Sequence, residues 1–272
     1  MLDTVSQSPI LRWLQSEGPI AVAISGGVDS MTLGALAHQV NPKTFLYHAV
    51  SPAVPIEATE RVKAYGESFH WNLRIIDALE FADENYLKNP VNRCFFCKQN
   101  LYSVIQKHTK DTIVSGTNTD DLGDFRPGLK AAKNLGVRHP WAETGYSKQN
   151  IREIASAMGL HDISDLPASP CLSSRVETGI PINPQHLPVI NKVEVFGGTK
   201  LSAGTIRCRI RKTGIVIELD NHTRKTLSQQ QTNDLMEFAH TAFSQAGLEG
   251  GPPRLANYQM GSAFVGKEAF HE

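Results

Sequence analysis

Ser25-Gly26-Gly27-Val28-Asp29-Ser30 directly follows the apolar run Ile20-Ala21-Val22-Ala23-Ile24, and this stretch decides the fold. The apolar run predicts a strand and the pattern after Ser30 predicts a helix, so the two glycines lie in a tight loop. Such a loop directs several backbone N–H groups and a helix N-terminus at one point, which favours an anion there. Glycine lets the backbone approach a ligand closely, and the two serines add hydroxyl donors. The stretch therefore predicts a phosphate site, although it lacks the lysine and the spacing of a Walker loop.

Strand-like and helix-like segments alternate through the first two-thirds of the chain. The predicted strands cover residues 20–24, 45–50, 73–76 and 112–115, and the helices between them cover about 30–39, 56–70 and 98–110. This order predicts an α/β fold, in which a parallel sheet carries helices on both faces. Ligands of such sheets bind beyond the carboxyl ends of the strands, where the loop at residues 25–30 and the loop at Gly116 both fall.

The alternation of strand-like and helix-like segments ends in the last third of the chain. A helix is predicted over residues 148–158, with Ser147 as its N-cap, and a proline-rich loop with Cys171 follows. Residues 205–210 and 215–219 flank Gly214 and predict a hairpin. A helix near 227–246 and a β-like segment at 254–265 complete a smaller α+β unit. We therefore predict two domains, residues 1–178 and 179–272.

The overall composition excludes several classes of protein. The chain has 272 residues, with 27 Lys and Arg against 27 Asp and Glu, so no strong general field gathers nucleic acid. No apolar run approaches the length of a membrane span, and Met1-Leu2-Asp3-Thr4 lacks the start of a secretion signal. We expect a cytoplasmic protein without a membrane partner, in which the four cysteines are ligands or reactive thiols rather than disulfides.

Three of the cysteines form a candidate site. Cys94 and Cys97 form a C-x-x-C, and Cys171 lies in a separate loop. Three thiolates would hold a 4Fe–4S cluster and leave one iron open, while zinc, a redox dithiol at the C-x-x-C, or simple packing are the alternatives. Cys208 alternates with Arg207 and Arg209 along a predicted strand, so we expect it to face the core.

Several motifs occur in a fixed order along the chain. They cover residues 25–30, 51–52, 92–98, 116–121, 124–129, 171–175 and 258–262. The first resembles the PP-loop of ATP pyrophosphatases, and the series resembles the LarE family of ATP-dependent sulfur transferases, which help to build the nickel-pincer nucleotide cofactor of lactate racemase. The resemblance extends from residue 20 to residue 262. Its cysteine and D-x-R-P-G motifs are specific to that family.

The resemblance implies a reaction. In that family, ATP adenylates a carboxylate of a pyridinium dicarboxylate mononucleotide, and sulfur then displaces AMP. Members with one cysteine, matching Cys171, give up their own side-chain sulfur. Members with three cysteines, like this chain, are described as carrying a 4Fe–4S cluster that delivers sulfide. The three-cysteine pattern therefore implies an enzyme that turns over, with a small nucleotide-like substrate and sulfide as partners; the resemblance also suggests a homo-oligomer.

Roles in ATP binding can be assigned to named residues. The pyrophosphate would be held by Ser25, Gly26, Gly27 and Ser30. A carboxylate is repelled by phosphate, so we expect Asp29 to contact it through Mg²⁺, with helix capping as the alternative. Asp120 and Asp121 would supply a second magnesium contact or order the Gly116 loop.

The remaining assignments concern arginines. Arg207 and Arg209 share a strand face, where two guanidinium groups suit a substrate phosphate, as a similar pair does in the family; a solvated face is the alternative. Arg126 and Arg175 would pair with the acyl-adenylate or with sulfide. The predicted catalytic residues are Cys171, Asp29 and Arg175. Lys98, Glu143, Lys148 and the histidines carry no sharp signal.

The chain departs from the family pattern in two places, and alternatives follow. Val176-Glu177-Thr178-Gly179 replaces Ile-Pro-Tyr-Gly, and Gln259 replaces an arginine, so the pyridinium substrate is less firmly implied than ATP. A tRNA thiolase is the second hypothesis, but no basic surface or RNA-binding module is visible. An ammonia-using synthetase would not need three cysteines, and a non-catalytic nucleotide or metal carrier would not need an intact residue 25–30 loop.

Overall fold

The computed structural model describes residues 8–123, 126–167 and 169–266. Internal contacts divide the chain into two compact units, one of Met1–Asp83 with Asn92–Ser169 and one of Glu84–Val91 with Pro170–Glu272. Asp124 and Phe125 of the D-x-R-P-G motif, and the N-terminal residues 1–4, lie outside the described residues. The domain boundary near residue 178 stays a prediction.

The structure contains these helices and strands. The helices are α1 (Pro9–Ser16), α2 (Val28–Val40), α3 (Ile56–Ser68), α4 (Glu84–Leu87), α5 (Arg93–His108), α6 (Pro127–Asn134), α7 (Pro140–Glu143), α8 (Lys148–Ala157), α9 (His161–Ser164), α10 (His186–Lys200), α11 (Asn221–Thr226) and α12 (Gln229–Gln245). The strands are β1 (Ile20–Ile24), β2 (Phe45–Ala49), β3 (Asn72–Ile76), β4 (Thr112–Ser115), β5 (Ile206–Arg211), β6 (Gly214–Leu219) and β7 (Arg254–Asn257). Short 3-10 helices cover Glu80–Ala82, Thr119–Asp121 and Leu172–Arg175.

The first unit contains a four-stranded sheet in the order β3-β2-β1-β4, and every pair of neighbours is parallel. β1 is buried along its whole length. Ile20, Val22 and Ile24 join one apolar cluster with side chains of α2, α3 and α8, while Ala21 and Ala23 join another with side chains of α5 and α6. Because successive side chains of a strand point to opposite faces, helices cover both faces of the sheet. The predicted α/β fold and its parallel sheet are confirmed.

The C-x-x-C helix differs from the prediction. A helix was expected over residues 98–110, but α5 begins at Arg93 and ends at His108. Phe95 and Phe96 interrupt the helical spacing of apolar residues, which is why the pattern starts too late. Cys94 and Cys97 therefore lie inside the first turns of α5, three residues apart and on one side of the helix.

The second unit contains a three-stranded sheet in the order β5-β6-β7. β5 and β6 form the predicted antiparallel hairpin, and Gly214 takes a φ of 103° at its turn, which glycine adopts without strain. β7 adds in parallel beside β6 but ends at Asn257, earlier than the predicted segment. Cys208 of β5 is fully buried, as predicted. Among the described residues, no helix has both the length and the apolar composition needed to cross a bilayer.

The sequence did not predict α10, the helix that packs against β5. Its sequence contains a proline, two glycines and several β-branched residues, all of which disfavour a helix. Leu187, Ile190, Val193 and Gly197 are nevertheless buried at spacings of three or four, so one face packs onto the sheet. Tertiary packing outweighs local propensity here.

A buried histidine connects three elements near the carboxyl end of the parallel sheet. His48 of β2 is 1% exposed; its Nδ1 lies 3.0 Å from the carbonyl of Ile24 and its Nε2 lies 2.9 Å from the Thr59 hydroxyl. Burial lowers the pKa of His48; the bond to Ile24 opposes this effect and the charge of Lys63 adds to it. The neutral ring therefore joins β1, β2 and α3.

Acid should weaken the fold partly through His48. Below pH 6.5, the ordinary pKa of histidine, the unfolded chain takes up a proton that the native ring resists, so the free energy of unfolding falls with pH. The slope from one such group is at most about 1.4 kcal/mol per pH unit. Urea unfolding above and below pH 6.5 should show a smaller loss for His48→Gln than for the unchanged protein. His240→Gln, at an exposed site on α12, is the control, and an equal loss in both variants would contradict the assignment.

Two adjacent glycines in α10 give a test of its packing. A Cβ on Gly197 would overlap Ile206 Cδ1, whereas one on Gly198 would meet nothing within 4 Å. Gly198→Ala should stabilise the protein by about 0.5–1 kcal/mol, because it restricts the unfolded chain. Gly197→Ala should instead destabilise it by about 1–3 kcal/mol through overpacking. Urea unfolding measures both, and effects of the same sign would show that α10 does not press on β5.

Candidate functional site

The loops that follow β1 and β4 lie side by side at one edge of the first unit's sheet. From β1 the chain proceeds outward to β2 and β3, and then returns to β4 on the other side of β1. The order of the strands therefore reverses between β1 and β4, which is where open parallel sheets bind their ligands. Ser25 follows β1 and Gly116 follows β4, so both predicted loops fall at this point.

The loop at residues 25–30 is held by one serine. Ser30, 4% exposed, accepts a hydrogen bond from the Ser25 N–H at 3.0 Å, and its hydroxyl donates to the Gly27 carbonyl at 3.2 Å. The hydroxyl oxygens of Ser25 and Ser30 lie 3.0 Å apart. Gly27 is the N-cap residue of α2 and has no side chain to cap it, so the first turn directs its N–H groups outward. The loop is preformed around an uncapped helix N-terminus.

The start of α3 fixes the other side of this loop. Gly26 has a φ of 83°, and a Cβ there would lie 2.8 Å from the Ala58 carbonyl oxygen. Arg61, one turn further along α3, donates from Nη1 to the Gly26 carbonyl at 2.9 Å. Sequence reasoning did not identify Arg61, because nothing in the local pattern indicates which loop α3 faces. Its guanidinium places a positive charge beside the loop.

Gly116 presses directly on the same loop. A Cβ on Gly116 would lie 2.7 Å from the Ser30 nitrogen and 2.9 Å from the Asp29 carbonyl carbon. Both neighbours are backbone atoms that cannot swing aside. Gly116 was predicted as a cofactor-binding residue, and its observed contact is this close approach between the two loops.

Asp29 is surrounded by donors. Lys148 Nζ lies 2.8 Å from its Oδ2, and the Asn118 amide donates to its Oδ1 at 3.2 Å. The indole N–H of Trp141, a fully buried residue, donates to its backbone carbonyl at 3.0 Å. The Asp29 carboxylate still offers oxygen ligands, and Mg²⁺ takes only one or two carboxylates while substrate phosphates and water complete its shell. Asp29 therefore fits the predicted magnesium contact.

Lys148 is a second residue near this loop, after Arg61, that sequence reasoning missed. It is the first residue of α8, after the Ser147 cap, which is confirmed as part of a capping box with Asn150. The positive end of the helix dipole disfavours an ammonium group at that position. An unfavourable charge at a helix start was a signal that a negative partner lies nearby.

Asp120 and Asp121 order the loop after Gly116. Asp120 accepts a hydrogen bond from the Lys148 N–H at 3.0 Å, so it ties this loop to the start of α8. Asp121 accepts from the Asn118 N–H at 3.2 Å, within a capping box, and forms an ion pair with Arg126 at 2.7 Å. Of the two predicted roles for this pair, the observed contacts favour the ordering of the loop.

The same loop connects to the cysteine helix through the D-x-R-P-G motif. Arg126 holds Asp121, and α6 begins immediately after Arg126. A Cβ on Gly128 would lie 3.1 Å from Lys98 Cγ and 3.5 Å from the Cys94 carbonyl oxygen, so α6 approaches α5 closely at the C-x-x-C. The described part of the motif therefore links the loop at residues 116–121, through Arg126 and α6, to the helix that carries the cysteine pair.

His139 responds to the charges on both sides of this junction. Its Nδ1 lies 2.9 Å from the hydroxyl of Ser115, the last residue of β4. Burial lowers the pKa of His139; the charge of Glu143 opposes this effect, that of Lys98 adds to it, and that of Asp121 opposes it. Lys98 of α5 and Asp121 of the loop after β4 therefore act on one imidazole.

The four cysteines are thiols rather than disulfides, as predicted. Cys94, Cys97 and Cys171 are partly exposed, and Cys208 is buried. Burial raises the pKa of the Cys208 thiol well above its ordinary value, which keeps it protonated and unreactive. Across the described ranges, no three His, Cys, Asp or Glu side chains form a group that could hold a metal ion. The spacing of Cys94 and Cys97 fits two ligands of a cluster, and a cluster shared with Cys171 stays a prediction.

The loop that carries Cys171, in the second unit, is held by Arg175. The Arg175 guanidinium is buried; it pairs with Glu194 of α10 through bonds of 3.0 and 2.9 Å. It also donates to the carbonyls of Pro170 at 2.6 Å and Cys171 at 3.3 Å. These contacts are those of a positioning residue. The catalytic role of Arg175 stays a prediction.

Arg207 and Arg209 lie in different surroundings on β5. Arg209 is buried against Glu218 at 2.9 Å and donates to the Ser174 carbonyl at 3.1 Å, so it is already partnered. Arg207 is more exposed, with Nη1 3.9 Å from Glu194. Burial lowers the pKa of Arg207 and the charge of Arg175 adds to the effect, so a bound anion would relieve local repulsion. Their binding of a substrate phosphate stays a prediction, and Arg207 is the better placed of the two.

Comparison with known proteins identifies several relatives of the chain. No family model matches the chain. The uncharacterized protein slr1717 of Synechocystis sp. is 36% identical over 73% of this chain and 75% of its own length. Pyridinium-3,5-bisthiocarboxylic acid mononucleotide synthase of Lactiplantibacillus plantarum is 24% identical over 74% of each chain. One subunit of the glutamine-hydrolyzing GMP synthase of Methanosphaerula palustris is 27% identical over 55% of this chain and 53% of its own.

The loop after β1 and the parallel sheet are consistent with the PP-loop superfamily, which the relatives also indicate. The resemblance to LarE proteins is supported at the level of a distant relative. The chain belongs to the family of the Synechocystis protein slr1717, within the PP-loop superfamily of ATP-using enzymes.

Proposed function

We propose that this protein is an ATP-dependent sulfur transferase. It would adenylate a carboxylate of a small nucleotide-like substrate and then replace AMP with sulfur. The observation that carries the proposal is the connection, within the first unit, between the loop at residues 116–121 and the helix that carries Cys94 and Cys97. Asp121 holds Arg126 at 2.7 Å, and Gly128, two residues further on, allows α6 to approach Cys94 and Lys98.

The first step would use the loop at residues 25–30. A carboxylate oxygen of the substrate attacks the α-phosphorus of ATP, and pyrophosphate leaves with the electron pair of the broken P–O bond. The uncapped N-terminus of α2 and the Arg61 guanidinium would offset the negative charge that develops on the leaving group. Mg²⁺ at Asp29, with the phosphates as its other ligands, would share this charge.

The second step needs a sulfur nucleophile. A thiolate or hydrosulfide attacks the acyl carbon, and AMP leaves with the electron pair of the C–O bond. Cys171 is partly exposed and would serve as donor or carrier, in a loop that Arg175 holds rigid through Glu194. Lys98 next to Cys97, and the helix N-terminus of α5, provide positive electrostatic potential at the C-x-x-C pair.

A 4Fe–4S cluster on Cys94, Cys97 and Cys171 is part of this proposal. A cluster would supply an iron-bound sulfide to the activated carboxylate. Its support is the partly exposed state of three thiols and the one-turn spacing of two of them. Sacrificial donation from Cys171 is the alternative source of sulfur. Its thiolate would displace AMP to form a thioester, and loss of the Cα proton with cleavage of the Cβ–Sγ bond would then release the thiocarboxylate and leave dehydroalanine in the chain.

Because the loop after β4 approaches the loop at residues 25–30 so closely at Gly116, a side chain added there should reduce the use of ATP. In Gly116→Ala, the new methyl group would push on the Ser30 nitrogen at 2.7 Å and displace the phosphate-binding loop. Misplacement on this scale should lower ATP–pyrophosphate exchange by about tenfold or more. Gly123→Ala is the matched control, because a Cβ there would meet nothing within 4 Å. Equal exchange in both variants would show that the loop does not bind the triphosphate.

Substitution of Cys171 should separate adenylation from sulfur transfer. Cys171→Ser should retain ATP–pyrophosphate exchange with a carboxylated nucleotide, because adenylation needs no thiol, but should form no thiocarboxylate. Anaerobic preparations of the unchanged protein should contain iron and sulfide, and Cys97→Ala should lose both. Cys208→Ala, at the buried cysteine, is the control and should retain both.

Other outcomes of the same measurements identify the alternatives. A preparation free of iron, together with loss of H₂S from the chain after one turnover, would reject the cluster hypothesis and identify Cys171 as the sulfur donor. Absence of both sulfur transfer and exchange with every carboxylated nucleotide would overturn the proposed reaction.

A further inference from the structure

His139 is a partly buried imidazole at the carboxyl end of the first unit's sheet. Arg138 pairs in parallel with Val114 of β4, so His139 follows this pairing at the same end as Ser115, the last residue of β4. The Nδ1 atom of His139 lies 2.9 Å from the Ser115 hydroxyl oxygen. The ring is therefore held beside the loop that begins at Gly116, at the end of the sheet where parallel strands bind ligands.

A chain of hydrogen bonds orients this imidazole. Ser115 is 6% exposed, and its hydroxyl oxygen also lies 3.2 Å from that of Thr117. The backbone of His139 is fixed as well, because its N–H donates to Glu143 Oε1 at 2.9 Å. The hydrogen bond of the ring to the described residues is made by Nδ1, which leaves Nε2 as the nitrogen able to take a proton. One ring nitrogen oriented by a partner and the other available is the arrangement of a general base.

The charges that act on His139 come from three elements. Glu143 belongs to α7, Lys98 to α5, and Asp121 to the 3-10 helix after β4. Burial has the largest effect and lowers the pKa of His139; Glu143 raises this pKa, Lys98 lowers it and Asp121 raises it. The ring is therefore mostly neutral near pH 7, where a general base must be unprotonated to accept a proton.

His139 lies between the loop at residues 25–30 and the cysteine helix. On one side, Gly116 follows Ser115 directly, and a Cβ on it would lie 2.7 Å from the Ser30 nitrogen. On the other side, α5 connects β3 to β4, so it runs back across the sheet and begins at the carboxyl ends of the strands. Cys94 and Cys97 lie in those first turns. An acyl group activated at the first loop and a sulfur atom at the cysteine helix would therefore meet near this ring.

We propose that His139 is the general base of the sulfur transfer step. A hydrosulfide ion attacks the acyl carbon of the adenylate, and AMP leaves with the electron pair of the C–O bond. The proton that the sulfur carried passes to Nε2 of His139, and the product is a thiocarboxylate. The Nδ1–H group donates to Ser115, whose hydroxyl donates to Thr117, and this arrangement keeps the lone pair on Nε2. The inference rests on the proposed sulfur transfer and assigns His139 no part in adenylation.

A glutamine at position 139 should slow the second step alone. With ATP, a carboxylated nucleotide and added sulfide, His139→Gln should form thiocarboxylate about a hundredfold more slowly or worse, because a general base contributes at least this much. It should retain ATP–pyrophosphate exchange, which needs no proton transfer from sulfur. His161→Gln, at an exposed histidine that begins α9, is the matched control and should equal the unchanged protein in both assays.

Two further measurements distinguish a base from a residue that only supports the loop. At a fixed hydrosulfide concentration, sulfur transfer by the unchanged protein should fall as the pH drops below 6.5, the ordinary pKa of histidine, because acid protonates His139. His139→Gln should lack this fall. Added imidazole should restore part of the sulfur transfer of His139→Ala, because it can enter the space of the deleted ring and accept the proton.

Several results would overturn the assignment. These are an equal rate of sulfur transfer in His139→Gln and the unchanged protein, the same fall with acid in both, or no rescue of His139→Ala by imidazole. Loss of ATP–pyrophosphate exchange in His139→Gln would show a structural role instead. An unchanged protein that forms no thiocarboxylate with any carboxylated nucleotide would reject the proposed reaction and this inference together, whereas the other results reject the inference alone.

Discussion

The close approach of two backbone segments at Gly116 is the constraint on which the rest of the first unit depends. The loop after β4 lies so near the loop after β1 that a single added carbon would be 2.7 Å from the Ser30 nitrogen. Neighbouring parallel strands separate their loops by a fixed distance, so the two loops meet only because β1 and β4 are adjacent. Their contact also places Asn118 against Asp29 and Asp120 against the start of α8. The site is therefore a property of strand order rather than of any one motif.

Charge is organised differently in the two units. In the first unit, Asp29 and Lys148 are both partly exposed, so their ion pair can open at little expense. In the second unit, Arg175 and Arg209 are buried with the carboxylates of Glu194 and Glu218. Removing one member of a buried pair leaves an uncompensated charge, which makes such pairs rigid. The first arrangement can change at low cost, and the second fixes the loop that carries Cys171.

Sequence reasoning succeeded where the information is local. The apolar run at Ile20–Ile24, the glycines after it and the cap at Ser147 each predict structure from a few neighbouring residues, and the structure agrees. It failed where distant contacts outweigh local preference. α10 forms against its own propensity because its buried face packs on β5, and α5 begins earlier than its apolar spacing indicates. Lys148 and Arg61 were missed because their partners lie far away in the sequence.

The sequence by itself determined the parallel α/β fold of the first unit and the place of the residue 25–30 loop between β1 and α2. Periodicity, glycine and capping residues act over a few positions, so a one-dimensional pattern suffices for them. Only the tertiary structure decided which side chains meet: the ammonium of Lys148 at Asp29, and the carboxylates of Glu194 and Glu218 at Arg175 and Arg209. Those pairs form because helices and strands that are remote in sequence pack against one another. Local sequence patterns do not specify which of their side chains come within a few ångströms of each other.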